Sequence, residues 1–193
     1  MTRWTLRLAA CLAVGTVALS GCSEKQEAGH ILPTTSAAKT TAELPRLGPE
    51  EFPVPADARE KTPEGALAFA KYYVDLAFEV GAAGIPSHYL LDLSTPECRD
   101  CNQVAASYAE DQAAGYKHVG VSHTFKEYGL PRLSDDIAEI GFDYTQGASS
   151  VVDADGHDVP SRAGQESGVL SSGMRLEWRD DLDCWLVATL TIG

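Results

Sequence analysis

Two cysteines three residues apart, Cys98 and Cys101, have the spacing in this sequence that most directly suggests chemistry. The preceding Thr95-Pro96-Glu97 predicts a helix start, because threonine caps a helix and proline fits its first turn. A helix N-terminus activates a thiol, so a thioredoxin-type redox centre is one interpretation. That motif belongs to a βαβ unit, and no such unit precedes it here. Outside the cytoplasm, close cysteines ordinarily form stable disulfides, and we therefore favour a structural disulfide over redox catalysis.

The remaining cysteine of the domain, Cys184, alternates with leucines in an apolar segment. We expect it to be a buried free thiol, with a bridge to Cys98 or Cys101 as the alternative. A zinc site would need two further ligands, and no second Cys-x-x-Cys or histidine pair has suitable spacing. The sequence therefore predicts no metal.

Three histidines, His88, His118 and His123, could act as general bases with Asp92 or Asp143 as partners. No pair has a diagnostic spacing, and a histidine on an apolar strand face is more often part of the core. The sequence also lacks a nucleophile elbow, a glycine-rich phosphate loop and a metalloprotease helix. We therefore expect neither catalysis nor a cofactor.

The acidic segment at 153–158, Asp-Ala-Asp-Gly-His-Asp, is similar to a calcium loop only in part. An EF-hand places glycine at its sixth position and glutamate at its twelfth. Here Gly156 is fourth and Gly164 is twelfth. We interpret the segment as an exposed hairpin loop.

A ligand pocket could be lined by Tyr72, Tyr73, His123 and Trp178, with Trp185 as a further aromatic candidate. Aromatic side chains at such spacing usually belong to the core. A pocket enclosed by helices and a sheet is nevertheless the usual place for a ligand. An apolar small molecule would suit this lining.

The N-terminus carries the most specific motif. Residues 1–7 are basic, residues 8–19 are apolar, and Leu-Ser-Gly-Cys occupies 19–22. So short an apolar stretch cannot cross a bilayer, which takes about 20 residues, and residues 1–21 are therefore predicted to be a signal peptide. The last four residues resemble the lipobox of bacterial lipoproteins. This resemblance implies cleavage before Cys22, fatty acyl chains on its sulfur and attachment to the extracytoplasmic face of the cell membrane.

The charge of the chain restricts its partners. A net charge of −13 repels phosphate backbones and anionic lipid headgroups. Nucleic acid is therefore not an expected partner, and membrane contact should come through lipid on Cys22. Residues 22–61 lack apolar periodicity and are rich in Thr, Ala, Glu and Pro, which predicts a flexible tether. As a coil it would reach on the order of 35 Å.

A single domain is predicted over 62–193. Thr62-Pro63-Glu64 predicts a helix start, and apolar residues then recur at three- and four-residue spacing until Gly81 and Gly84 stop the helix. A short helix is expected within 86–93. A third is expected from Thr95 to about residue 114, with Val104, Ala105 and Tyr108 facing inward.

The rest of the domain changes to a period of two, which is typical of half-buried antiparallel strands. In the last such segment, Leu186, Ala188, Leu190 and Ile192 are expected to share one side. Helices followed by strands predict an α+β fold, with the helices on one face of a sheet of about four strands. The four segments are 116–128, 136–146, 166–178 and 183–192.

This order of elements resembles the nuclear transport factor 2-like superfamily, in which three helices pack on a curved antiparallel sheet and form a cone with a cavity. Residues 62–101 resemble, more narrowly, an uncharacterised family of actinobacterial lipoproteins, one of the numbered domains of unknown function. The matching residues run from Pro63-Glu64-Gly65-Ala66 through Tyr72-Tyr73 to Cys98-x-x-Cys101. The resemblance implies a curved-sheet fold and an extracytoplasmic location, but no activity.

These features predict a secreted, lipid-anchored module of the cell envelope. We expect it to bind an envelope protein or a small apolar ligand, or to support assembly, without catalysis. The alternative is a small cone-shaped enzyme of isomerase or dehydratase type, because enzymes of the resembling superfamily place a histidine or carboxylate in the cone.

Overall fold

The computed structural model describes residues 46–193. The predicted signal peptide at 1–21, the lipidated Cys22 and the tether residues up to 45 lie outside this part of the chain. Three helices come before seven strands, and all strand pairs are antiparallel. The helices are α1 (Pro63–Ala82), α2 (His88–Asp92) and α3 (Arg99–Ala113). The strands are β1 (Lys117–Val119), β2 (His123–Glu127), β3 (Arg132–Ser134), β4 (Ile137–Gln146), β5 (Ser150–Val152), β6 (Leu170–Arg179) and β7 (Cys184–Thr191).

The predicted α+β fold, with helices ahead of an antiparallel sheet, is confirmed. The main sheet has five strands, in the order β2-β4-β6-β7 with β3 also paired to β4. The predicted strand at 116–128 divides into β1 and β2, because Gly120 adopts a φ of 74° between them. The strand β1 then leaves the main sheet and forms a two-stranded sheet with β5.

Helix α1 begins where its sequence predicts. Oγ1 of Thr62 accepts a hydrogen bond from the backbone N–H of Gly65 at 3.0 Å, which caps the first turn. Of the two glycines predicted to stop the helix, Gly84 follows the C-cap Ala83 with a φ of 74°, whereas Gly81 lies inside the helix and is buried. The reason is a close approach, since a Cβ at Gly81 would lie 2.8 Å from the ring of Tyr108.

Helix α3 begins three residues later than the sequence predicts, with its cap at Cys98 and not at Thr95. Thr95 is not its cap, because its backbone N–H donates to the carbonyl of Val187 on β7 at 2.9 Å. Cys98 takes the capping position, and its sulfur accepts from the backbone N–H of Cys101. The segment before α3 is thus held by the edge of the sheet.

The helices cover one face of the main sheet. The strand β4 turns Ala138, Ile140, Phe142 and Tyr144 into the core, as its alternation predicts, and all four are buried. Helix α1 contacts β4, β6 and β7, and α3 contacts β7. The core therefore lies between the helices and this face.

The alternation predicted for β7 is wrong in its second half. The pairing of β6 with β7 shifts by one residue, so that Leu176 opposes Val187 and Met174 opposes Leu190. Paired residues of antiparallel strands point to the same face, and Val187 and Leu190 therefore both face the core. Leu186 points to the opposite face, so it does not share a side with Leu190. A β-bulge of this kind leaves no signal in the apolar pattern.

Residues 46–61 are not part of a tether, which corrects the predicted domain boundary at residue 62. Ala58 is fully buried, and Phe52 stacks on Tyr72 with ring centroids 5.2 Å apart. The indole N–H of Trp185 donates to the carbonyl of Glu60 at 2.9 Å. The sequence conceals this packing because the segment has few apolar residues and no regular period.

Within residues 46–193 no helix has the length and apolar character needed to cross a membrane.

Candidate functional site

A cavity of about 190 Å³ lies between α1, α3 and the C-terminal ends of β4 and β7. Helix α1 contributes two pairs of lining residues, and the members of each pair are four residues apart. They therefore form two adjacent rows on one helix face. The pairs are Tyr73 with Ala77 and Val74 with Phe78. Helix α3 presents residues at three- and four-residue spacing, which also share one face: Cys101, Val104 and Tyr108. The sheet side is closed by Tyr144, Gln146, Leu190 and Ile192.

The lining of this cavity is apolar and carries no charged side chain. Burial raises the pKa of the Tyr73 hydroxyl. Burial, with a smaller contribution from the neighbouring Tyr108, raises the pKa of Tyr144 to about 12. Burial first, and the charge of Asp111 second, raise the pKa of Tyr108. All three phenols are therefore neutral at physiological pH.

Two of the polar groups in the lining are engaged and two are free. The hydroxyl of Tyr73 donates to the carbonyl of Leu90 at 3.1 Å, and that of Tyr144 donates to Oε1 of Gln146 at 3.3 Å. Within residues 46–193, the hydroxyl of Tyr108 and the amide nitrogen of Gln146 have no hydrogen-bond partner. The cavity thus presents two unengaged polar groups in an otherwise apolar wall.

Gly81 allows Tyr108 to stand in this wall. The Tyr108 ring lies so close to Gly81 that any larger residue would displace it. His118 contacts the same ring edge-on, with ring centroids 5.4 Å apart. No sequence pattern marks Tyr108 as a cavity residue, because the contact joins α1, α3 and β1.

The predicted disulfide between Cys98 and Cys101 is present, and Cys184 is a free buried thiol. Both bridged cysteines are only 1% exposed, and Cys101 belongs to the cavity wall. A disulfide exchanges with a protein substrate only if a thiolate can reach its sulfur. The burial of this disulfide therefore favours a structural role over the redox alternative.

Of the four residues predicted to line a pocket, the structure brings only Tyr73 into the cavity wall. The hydroxyl of Tyr72 donates to the carbonyl of Phe52 at 2.8 Å, beneath the N-terminal segment. Tyr72 lies outside the two rows of α1 that line the cavity, and its ring stacks on Phe52 instead. Trp178 also lies elsewhere, with its indole N–H donating to Asp180 at 2.8 Å.

His123 lies next to the cavity but is not among its lining residues. Its ring stacks on Phe78 with centroids 4.0 Å apart, and Phe78 forms part of the wall. Nε2 of His123 lies 2.8 Å from Oδ1 of Asp75 on α1. The predicted partner Asp143 instead accepts a hydrogen bond from the hydroxyl of Tyr128 at 2.6 Å. Asp75 and His123 are 48 residues apart, and local spacing could not have paired them.

The other two histidines also pair with carboxylates. His118 Nε2 lies 2.9 Å from Oδ2 of the buried Asp111, whose second oxygen accepts from Arg162. This cluster ties α3 to β1 and to the 3₁₀ turn at Pro160–Arg162. His88 lies 3.9 Å from Asp92, and both side chains are largely exposed.

The acidic segment at 153–158 is an exposed turn, as its sequence predicts. Oδ1 of Asp153 accepts the backbone N–H groups of Asp155 and His157, each at 2.9 Å. The ligand-type atoms of these three side chains lie within 4.8 Å of one another. The hydrogen bonds account for the arrangement as a turn.

Comparison with known proteins gives structural likeness alone. No family model matches the sequence, and no curated protein matches it. The intermembrane space region of the chloroplast protein ARC6 is similar over 69% of this chain and 97% of its own, with 10% sequence identity and a TM-score of 0.48. A structure from Catenulispora acidiphila in complex with S-DNPA is similar over 66% of this chain and 92% of its own, with 13% identity and a TM-score of 0.38. A second structure from that organism covers 67% of this chain and 91% of its own, with 14% identity and a TM-score of 0.38.

Proposed function

We propose that this protein is a lipid-anchored binding module of the cell envelope, whose cavity between α1, α3 and the sheet takes a small apolar ligand without catalysing its reaction. One observation carries the binding part of the proposal: the cavity is walled by apolar and aromatic side chains and lacks a charged group. Such a wall favours ligands that lose little hydration on entry.

The size of the cavity limits the ligand. An apolar cavity of about 150 Å³ accepts benzene in a well-studied case, whereas pockets for drug-sized molecules span roughly 300–1,000 Å³. At about 190 Å³ this cavity is closer in volume to the benzene-binding cavity than to a pocket for a drug-sized molecule. The proposed ligand is therefore a single substituted ring or a short chain.

The location rests on the N-terminal sequence. Leu-Ser-Gly-Cys at 19–22 follows a short apolar stretch, and lipid on Cys22 would supply the membrane contact that a net charge of −13 opposes. The disulfide between Cys98 and Cys101 suits an oxidising compartment. Residues 22–45 remain for the tether, which as a coil would span on the order of 27 Å.

Anchoring is tested by the intact mass of the protein extracted from its native membrane. The proposal expects a chain that begins at Cys22 and carries fatty acyl chains. A chain that keeps residues 1–21, or one that begins at Cys22 without lipid, contradicts it. In the variant Cys22→Ser the protein should no longer partition into detergent.

Binding is tested with isopropylbenzene, titrated into the chain from Ser23 onward and followed by NMR. We expect saturable shifts that disappear in Val104→Trp, because a large ring at Val104 fills the cavity. Val119→Trp is the matched control, since Val119 is 51% exposed and lies outside the lining. Equal loss of binding in both variants, or no saturable binding to the wild type, contradicts the proposal.

A second candidate function has one observation in its favour. His123 and Asp75 form a close pair beside the wall residue Phe78, as a general base and its orienting carboxylate would in a small isomerase or dehydratase. A general base must, however, reach the proton that it removes. His123 is absent from the cavity lining, and we therefore rank binding ahead of catalysis.

A further inference from the structure

We infer that the ligand of this cavity is uncharged and carries a hydrogen-bond acceptor, such as a carbonyl oxygen, for which the Tyr108 hydroxyl and the Gln146 amide nitrogen are the unengaged donors of the lining. This inference rests on the proposed binding function and narrows the class of ligand. Its basis is the state of the four polar side chains in the lining.

The Gln146 side chain has an unengaged donor. Its Oε1 already accepts the hydroxyl of Tyr144 at 3.3 Å, whereas its Nε2 has no partner within residues 46–193. The backbone of Gln146 is fixed by two hydrogen bonds to Ser167, with its N–H donating to Oγ at 2.8 Å and its carbonyl accepting at 2.9 Å. An amide with its oxygen occupied offers N–H groups to a ligand.

The Tyr108 hydroxyl is a second donor in the same wall. Burial and the nearby charge of Asp111 keep it protonated by raising its pKa. It has no hydrogen-bond partner in the part of the chain that the structure describes. No buried side-chain donor lacks a partner in the described residues, so this hydroxyl is open to solvent and a ligand acceptor would replace water on it.

Both donors belong to the lining of one small cavity. The rest of the wall is apolar apart from the engaged hydroxyls of Tyr73 and Tyr144, with Val74, Val104 and Leu190 among its members. Unengaged donors in such a wall favour a ligand that brings an acceptor atom.

The lining of the cavity disfavours an anionic ligand. The lining holds no cationic side chain to balance a carboxylate. A cationic side chain close to Tyr108, that of Arg162, is already paired with Asp111 one helical turn beyond Tyr108 on α3. Transferring an unpaired carboxylate into such a site is costly, whereas a ketone or amide carbonyl needs only the two donors.

Three probes with the same number of heavy atoms separate the effects of apolar contact, a hydrogen-bond acceptor and a negative charge. The probes are isopropylbenzene, acetophenone and benzoate, each titrated into the chain from Ser23 onward. We expect acetophenone to bind roughly 3- to 10-fold more tightly than isopropylbenzene, as the gain of one hydrogen bond allows. We expect no measurable binding of benzoate at neutral pH.

The variant Tyr108→Phe should remove most of the preference for acetophenone and leave the affinity for isopropylbenzene within about twofold. Tyr128→Phe is the matched control, because Tyr128 is 62% exposed and lies outside the cavity lining. Should Tyr108→Phe fail to fold, Gln146→Leu tests the second donor in the same way.

The outcomes are distinguishable. If none of the three probes binds the wild type, the proposed binding function itself fails. If isopropylbenzene binds as tightly as acetophenone, or if benzoate binds as tightly as either, the cavity remains a binding site but the inference is overturned. The comparison among probes on the wild type decides this even without a variant.

Discussion

Nε2 of His123 lies 2.8 Å from the carboxylate of Asp75, while the ring of His123 stacks on Phe78 in the cavity wall. This pair bears on the choice between binding and catalysis because, like the pair of His118 and Asp111 beside Tyr108, it contacts a lining residue. Its ring meets the outer side of the wall through Phe78 and is not itself a lining side chain. Proximity to the cavity therefore does not give it access to a ligand.

Catalysis by this pair can be tested with the acetophenone used above. The methyl protons next to its carbonyl exchange with deuterium when a base removes them, which is also the first step of many isomerisations. We expect the protein to leave the exchange rate in D₂O at that of buffer, as measured by the loss of the methyl signal in proton NMR. An acceleration that His123→Gln and Asp75→Asn both abolish would establish a catalytic role instead.

The disulfide between Cys98 and Cys101 should stabilise the fold without taking part in redox chemistry. Replacing both cysteines with serine should lower the free energy of unfolding in urea by about 2 kcal/mol, because the short loop is no longer closed in the unfolded chain. The wild type should not reduce insulin in the presence of a thiol reductant. Reduction of insulin that disappears in the double variant would show that the buried bond is redox-active after all.

The free thiol of Cys184 should make the stability of the protein decrease at alkaline pH. Burial raises the pKa of this thiol to about 11 from its usual value near 9. The unfolded thiol ionises first as the pH rises, so the stability is complete below pH 9 and is lost as the pH approaches 11.

The loss amounts to on the order of 2–3 kcal/mol for this group. Urea unfolding at a series of pH values measures it, and Cys184→Ala should flatten the curve between these two values. Buried tyrosines such as Tyr144, whose pKa is raised from 10 to about 12, add their own loss from about pH 10 upward in the wild type and in the variant alike, so the difference between the two curves reports the thiol. A curve that is the same with and without the thiol contradicts its burial as a protonated group.

The sequence predicts the parts of this fold that depend on local rules. Thr62 and Pro63 mark the start of α1 because capping and proline geometry are properties of adjacent residues. The alternation in β4 predicts its buried face for the same reason. Local rules fail at Thr95, whose backbone pairs with Val187 far along the chain.

The candidate site was less predictable than the fold. Both Tyr72 and Tyr73 were expected to line a pocket, and only Tyr73 does. The sequence alone does not say which of the two faces the cavity, because this depends on how α1 is rotated against the sheet. Tyr108 and Gln146 have no distinguishing pattern, because their unengaged polar groups are defined only by what surrounds them in three dimensions. The contact between Asp75 and His123 likewise depends on the packing of α1 against β2.

The N-terminal segment of the domain should tolerate charge only where it is exposed. Ala58→Asp places a carboxylate at a fully buried position and should cost about 3 kcal/mol or more of unfolding free energy. Ala56→Asp, two residues earlier at an exposed position, should change it by less than about 0.5 kcal/mol. Equal, small effects of both substitutions would mean that this segment behaves as a tether after all.

The binding claim is tested most directly by intermolecular NOEs between isopropylbenzene and the methyl groups of the protein. The account predicts NOEs to Val74, Val104 and Leu190, which line the cavity. NOEs confined to the exposed Leu130 and Val169, at 60% and 68% exposure, would place the ligand on the surface and contradict it.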